Sequence, residues 1–239
     1  MNAETPKAEE LNLPQAVLLL ATNDKDGEPV VPQTVLRAAV AGATLAELDL
    51  IGAVELQGKH VRTTGTVPST DFQHQLQLIR DKSRPHTPKR WVSMLESRAE
   101  LHRIYEGMAS LGVVAHVGER HLGLFRTTRY PEKDHAPEAA LMEKIQAALS
   151  GAPPEPAKPD AEAPDVAPAK PDTKTVSKAP DARITALIAL LQAAGLFGKL
   201  FPAADRGRAS ELAKDYWPSR AVEDELLMVR LAQEEEATL

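Results

Sequence analysis

Apolar positions fall into blocks of two kinds along this chain. Val17, Leu18, Leu19 and Leu20 fill an almost wholly apolar run, which predicts a buried helix from about Leu13 to Thr22, with Pro14 tolerated in its first turn. Leu36, Val40, Ala43, Leu48 and Ile51 recur at helical spacing from Pro32 to Ile51. The small residues Ala39, Ala41, Gly42 and Ala43 leave that helix thin enough for another helix to approach closely. Further apolar stripes predict helices around Phe72, Leu76 and Ile79, capped by Ser69 or Thr70, and around Trp91 and Leu95, started by Thr87-Pro88. Leu101, Ile104, Tyr105, Met108 and Leu111 mark another, with Gly112 at its C-terminal end. Pro137 to Ser150 reads as the next.

Two stretches alternate instead of following a helical period. Residues 54–62 predict a hairpin turning at Gln57-Gly58. Val113 to Val117 and His121 to Phe125 predict a second, turning near Gly118 and Glu119 with Leu122 and Leu124 close to its tip.

Residues 151–181 then change character: prolines alternate with Ala, Lys and Asp and large apolar residues almost vanish, which predicts a disordered linker. Helical patterning returns at Ile184, Leu187, Ile188 and Leu191, at Phe197, Leu200 and Phe201, and from about Ser219 through Val222 and Leu226. Three short helices bury little surface alone. The predicted architecture is therefore mainly α: one helical domain of residues 11–150 and 182–235 with two short β-hairpins, a disordered N-terminus (1–10), and the Pro/Ala-rich segment inserted as a disordered loop.

Composition narrows the chemistry. Aromatics are 4% of the chain, so the core must be aliphatic, and there are no cysteines for disulfides or thiolate sites, which fits a cytoplasmic location. Residues 1–10 carry four charges and no long apolar stretch, so any membrane contact is expected to be peripheral. A net charge of −6 argues against wholesale binding to nucleic acid. Within residues 80–129, however, ten basic residues face five acidic ones, which predicts a polarised surface attractive to phosphate-bearing partners.

Catalytic motifs are missing. Neither a P-loop nor G-x-G-x-x-G is present, nor a serine nucleophile elbow nor H-E-x-x-H, so no enzyme activity and no cofactor are expected. The Asn23-Asp24-Lys25-Asp26-Gly27 turn has a calcium-loop spacing only superficially, with Thr22 and Gln33 at the outer ligand positions, and His116 and His121 could at most face one another across the second hairpin. No metal is predicted.

The order of these features resembles the Golgi phosphoprotein 3 family. The resemblance is carried by the apolar helix with its D-x-x-G turn (Leu18 to Gly27), the stretch Ala41 to Gly52, Lys89-Arg90-Trp91-Val92, Leu111-Gly112-Val113-Val114, Leu124 to Pro131, and Ile184 to Phe201. It implies a mainly helical domain peripheral to membranes that binds phosphatidylinositol 4-phosphate. In eukaryotic members it also implies an adaptor for short cytosolic tails. Aligned on the family's lipid pocket, the chain has Pro32, Ala41, Arg98 and Leu101, of which only Arg98 matches. Losing two cations and a stacking ring removes several charge-assisted hydrogen bonds. Arg98, Arg103, Arg126 and Arg129 are the candidate headgroup ligands of a rebuilt site, and Arg120, His121 and Leu122 the candidate membrane contacts on the hairpin. The departures and the short hairpin make the chain look like a bacterial member. The predicted partners are anionic phospholipid or phosphoinositide membranes, with protein tails or self-association secondary; the competing reading is a protein-interaction scaffold without lipid affinity.

Overall fold

The first helix is set by its cap. Asn12 accepts the backbone N–H of Gln15 while Gln15 reaches back to the N–H of Asn12, and Pro14 fits the first turn of α1 (Leu13–Leu20). All eight residues of α1 are buried, and each large aliphatic side chain among them contributes about 1.5–3 kcal/mol of transfer free energy. This structure is a computed structural model; it describes residues 11–65, 69–121, 125–151 and 181–237, with positions 119–121 and 125–127 described by their backbone. The predicted disordered segments, residues 1–10 and most of 151–181, lie outside the described residues, as do Leu122 and Leu124.

Around α1 the chain is mainly helical, with two small antiparallel sheets of two strands each. α2 (Gln33–Leu50) packs against α1 with Leu36, Leu45 and Leu48 fully buried. β1 (Val54–Gln57) and β2 (His60–Thr63) pair with Leu56 opposite Val61, turning at Gly58 with φ +61°, as the alternation predicts. α3 (Gln73–Asp81) starts later than expected: neither Ser69 nor Thr70 caps it, because Thr70 instead receives the N–H of Phe72 in a turn that drops the Phe72 ring into the core. α4 (Pro88–Leu95) is capped by Thr87, and α5 (Arg98–Ser110) by Ser97, whose hydroxyls accept the N–H groups of Arg90 and Glu100.

The second hairpin sits four positions further along than its pattern suggests. β3 (Val117–His121) pairs with β4 (Phe125–Arg129), Val117 opposite Arg129 and Arg120 opposite Arg126. Val113 and Val114 are used as core, 0% and 2% exposed, and Gly118 is a strand residue facing Thr128 and not a turn. The same register continues below the hairpin, with Val114 bridged to Glu132 and the N–H of Ala115 donated to Pro131.

α6 (Ala136–Ser150) follows, ended by Gly151 in the left-handed region. After the insertion, α7 (Ala182–Ala193), α8 (Phe197–Leu200), α9 (Arg206–Ala213) and α10 (Trp217–Ala237) close the fold. α9 carries too little apolar patterning to be visible in the sequence: its one buried side chain is Ala209. α7 packs on α1, α2 and α6, and α10 on α2, α4 and α7. Glu47 of α2, 8% exposed, is gripped by both terminal nitrogens of Arg183 at 2.6 and 2.8 Å and also accepts the N–H of Leu13 at 2.8 Å. That carboxylate joins the start of α1, the middle of the fold and the first helix after the insertion. No helix among the described residues is long and apolar enough to cross a membrane.

Candidate functional site

The basic region of the sequence maps to the run from α3 to α5 and to the second hairpin, Arg129 at its base and the Arg120–Arg126 pair one step from its outer end. The inner side of α5 is fixed by Leu101, Ile104, Tyr105 and Met108, all buried, and Gly112, at φ +80°, releases the chain into the strand. Those contacts turn His102 and Glu106, spaced by four, toward the hairpin base. There Glu106 accepts the Tyr130 hydroxyl at 2.8 Å and pairs with His116 Nδ1 at 2.9 Å, while His102 Nδ1 lies 2.9 Å from the same Tyr130 oxygen. The Tyr130 hydroxyl has one proton, which goes to Glu106, so His102 is the donor on its other side. Tyr130 also stacks on Tyr105 with ring centroids 4.3 Å apart and 2° between planes. The Thr22 hydroxyl lies 2.7 Å from both the Leu18 carbonyl and the Tyr105 oxygen; it donates to the carbonyl, so Tyr105 donates to Thr22.

The electrostatics favour an anionic Glu106 and neutral tyrosines. The hydrogen bond from Tyr130, ahead of His116, keeps the Glu106 carboxyl below its ordinary range. Burial, then the hydrogen bond to Glu106, drives Tyr130 upward, and burial pushes Tyr105 up to about 12. The charge of Glu106 and the protons of Tyr105 and Tyr130 are thereby stabilised where they stand. These side chains anchor a hairpin to a helix.

The candidate headgroup residues separate around this anchor. Arg98, the first residue of α5, is exposed, and no carboxylate among the described residues pairs with it. Arg103 is turned to the other side: it grips Glu100 through Nε and Nη2 at 3.1 and 2.6 Å, and its guanidinium lies 5.5 Å from the centre of the Phe72 ring. Arg129 pairs with Glu28 at 2.9 Å. Positions 126 and 129 are three apart on a strand of period two and so fall on opposite faces of the ribbon, while Arg126 stands opposite Arg120 and His121 opposite Phe125. His116 therefore does not face His121 across the hairpin; it precedes β3 and is committed to Glu106. Leu122 lies outside the described residues. Of the pocket positions suggested by resemblance, Ala41 and Leu101 are buried in the core and offer no donor there.

Other cations remain open. Lys82, Arg84 and Arg90 are exposed and Lys89 is half-buried, and none has a carboxylate within ion-pair distance among the described residues. With Arg98 they make a basic strip of sequence, residues 82–98, between the end of α3 and the start of α5. Sequence reasoning found these residues as a group but singled out only Arg98.

What it missed is how the Asn23–Glu28 turn is used. A Cβ on Gly27, at φ +67°, would lie 2.4 Å from the backbone nitrogens of Tyr130 and Pro131, so only glycine allows the turn to press on the strand exit. The N–H of Glu132 then donates to the Asp24 carbonyl at 3.0 Å, and Asp24 comes together with Glu132 and His135, three residues that could hold a metal ion, with Glu138 beside them. Nothing in the spacing of positions 24 and 132 signals that meeting.

The ordered set of motifs, the helical architecture and the helix-to-hairpin junction agree with a family model that spans most of the chain. The chain belongs to the Golgi phosphoprotein 3 (GPP34) family, whose model matches residues 13–229. No curated protein matches it.

Proposed function

We propose that this protein is a peripheral membrane module that binds anionic phospholipid headgroups, of which phosphatidylinositol 4-phosphate is the ligand its family membership favours. The observation that carries the reading is the basic strip. In a protein of net charge −6, Lys82, Arg84, Lys89, Arg90 and Arg98 lie within one short stretch without internal carboxylate partners. Cations left open in this way are free to pair with phosphate, and each contributes about 1 kcal/mol at an anionic membrane surface. Arg98 also stands at the exposed N-terminus of a 13-residue helix, where backbone N–H groups favour an anion. Arg103, Arg126 and Arg129 are secondary contributors in this reading, and Arg120, His121 and Leu122 the contacts that bring the hairpin to the bilayer. Leu111 and Val117, 41% and 38% exposed, flank the base of that hairpin with apolar surface.

Flotation tests the reading directly. Full-length protein is mixed with liposomes containing phosphatidylinositol 4-phosphate, generic anionic lipid or neutral lipid alone, at low and physiological salt. Salt-sensitive binding to the anionic liposomes is expected, with Arg98→Ala weakening it about fivefold. Loss of headgroup selectivity in Arg98→Ala would locate the specific contact at the start of α5. Absence of binding to every liposome overturns the proposal and favours a scaffold reading, for which the outer side of α10 offers Leu227, Met228 and Leu231, each about half exposed.

A further inference from the structure

Four side chains from three separate segments meet behind the hairpin base. Asp24 comes from the turn after α1, Glu132 from the strand exit, His135 from the N-cap of α6 and Glu138 from its first turn. Donor atoms of Asp24, Glu132 and His135 all lie within 4.8 Å of one another. The Glu132 side chain is only 3% exposed; one of its oxygens contacts His135 Nδ1, and the other, Oε1, is shut off from solvent with no hydrogen-bond donor. Glu138 Oε2 is in the same position.

A buried carboxylate oxygen without a donor is destabilising, and two of them beside a third carboxylate compound the penalty through like-charge repulsion. Among the described residues His135 is the one basic side chain that reaches the cluster. A single imidazole stands against three carboxylates, and the buried oxygens Glu132 Oε1 and Glu138 Oε2 meet no donor among the described residues.

We propose that Asp24, Glu132 and His135, backed by Glu138, bind a divalent first-row transition-metal ion such as Mn²⁺ or Zn²⁺. The donor set decides the class. Carboxylate oxygens alone would suit Ca²⁺ or Mg²⁺, whereas an imidazole beside two or three carboxylates selects the borderline ions. The site is independent of the lipid reading but adjoins its hairpin. A bound ion would cross-link the 23–28 turn, the end of the ribbon and the start of α6, fixing the angle at which the ribbon leaves the body.

The test uses the full chain, stripped of metal with a chelator and desalted. MnCl₂ is titrated while the signal of free aqueous Mn²⁺ is followed by electron paramagnetic resonance, and ZnCl₂ by competition with a chromogenic chelator, with CaCl₂ and MgCl₂ in parallel. Wild type is expected to bind about one equivalent of Mn²⁺ or Zn²⁺ in preference to Ca²⁺ and Mg²⁺, and to gain thermal stability on binding. Glu132→Gln and His135→Ala should each weaken binding at least about tenfold, while His60→Ala, remote in the fold, should not change it. Should Glu132→Gln fail to fold, Asp24→Asn, at an exposed position, carries the same expectation. Wild type that takes up no metal at millimolar concentration overturns the proposal and leaves a proton on Glu138 as the neutralising group. Uptake unchanged by all three ligand substitutions overturns it equally.

Discussion

Replacing Gly42 by alanine tests how the part of the chain after the insertion closes on the part before it. Gly42 lies mid-way along α2, and a Cβ built there would sit 2.1 Å from Val222 Cγ2 of α10, with Leu190 Cδ2 and the Pro218 carbonyl oxygen each at 3.5 Å. Two carbon atoms prefer about 3.8 Å, so α10 must retreat by roughly 1.7 Å or Val222 must leave its rotamer, which β-branching in a helix resists. Overpacking of this kind costs about 1–3 kcal/mol. Against it stands the gain of about 1 kcal/mol from exchanging glycine for alanine inside a helix. The net expectation is a loss of up to about 2 kcal/mol, read as a lower urea midpoint with an unchanged slope, followed by far-UV circular dichroism and by the fluorescence of Trp91 and Trp217. The sign should reverse in a Val222→Ala background, where the added methyl has room and the helix propensity gain of up to about 1 kcal/mol remains. If Gly42→Ala stabilises the otherwise unchanged protein, α10 does not lie against α2 as described, and the reasoning fails.

Two further outcomes follow from single contacts. Arg183→Ala leaves the Glu47 carboxylate buried with only the Leu13 N–H, and should cost about 3 kcal/mol, the low end of the range for a broken buried pair because Arg183 is itself about a third exposed; a loss below about 0.5 kcal/mol in urea unfolding would show that the pair is not a closure point. Glu106, whose carboxyl is held below its ordinary 4.5 by Tyr130 and then His116, supplies stability that is complete above that value and lost as pH falls through its folded value. Hydrogen exchange at residues 128–130 should therefore accelerate as pH falls below about 4.5 beyond the intrinsic rate change, and Glu106→Gln should remove that step; an equal step in the variant would sink the assignment.

How far the sequence reaches depends on whether an element is decided locally or by what it meets. α1 and α2 are legible because a dense apolar run and a 3.6-residue period leave no alternative, and Thr87-Pro88 and Gly112 mark real helix ends because capping is local chemistry. The ribbon is misplaced by four residues because Gly118 looks like a turn and Val113-Val114 look like a strand; tertiary burial takes the two valines into the core and moves the paired strands outward. The basic strip is visible as an excess of charge, but which arginine is open and which is held depends on Glu28 and Glu100, and Glu28 is a hundred residues away from its partner. The carboxylate cluster is invisible for the same reason. Asp24 looks like an ordinary turn residue until Gly27 lets that turn reach the strand exit.

The arithmetic of the basic strip also says what kind of membrane protein this would be. Five cations at about 1 kcal/mol each give roughly 5 kcal/mol, which corresponds to dissociation constants between millimolar and about 0.1 mM. Repulsion between the acidic remainder of the molecule and an anionic surface subtracts from that, and salt screens both contributions within about 8 Å at physiological ionic strength. Charge alone therefore orients the protein without holding it. Residence requires a second contribution, either a specific headgroup contact or an apolar wedge, just as a single lipid chain needs a partner signal. In the proposed reading the hairpin would supply it: it follows α5, its base is pinned by the Glu106–Tyr130–His116 network, and Leu111 and Val117 are exposed in the same stretch. If the protein is the membrane module proposed, loosening the hairpin base with Glu106→Gln should reduce liposome flotation even with every arginine intact, and unchanged flotation would refute a role for the ribbon.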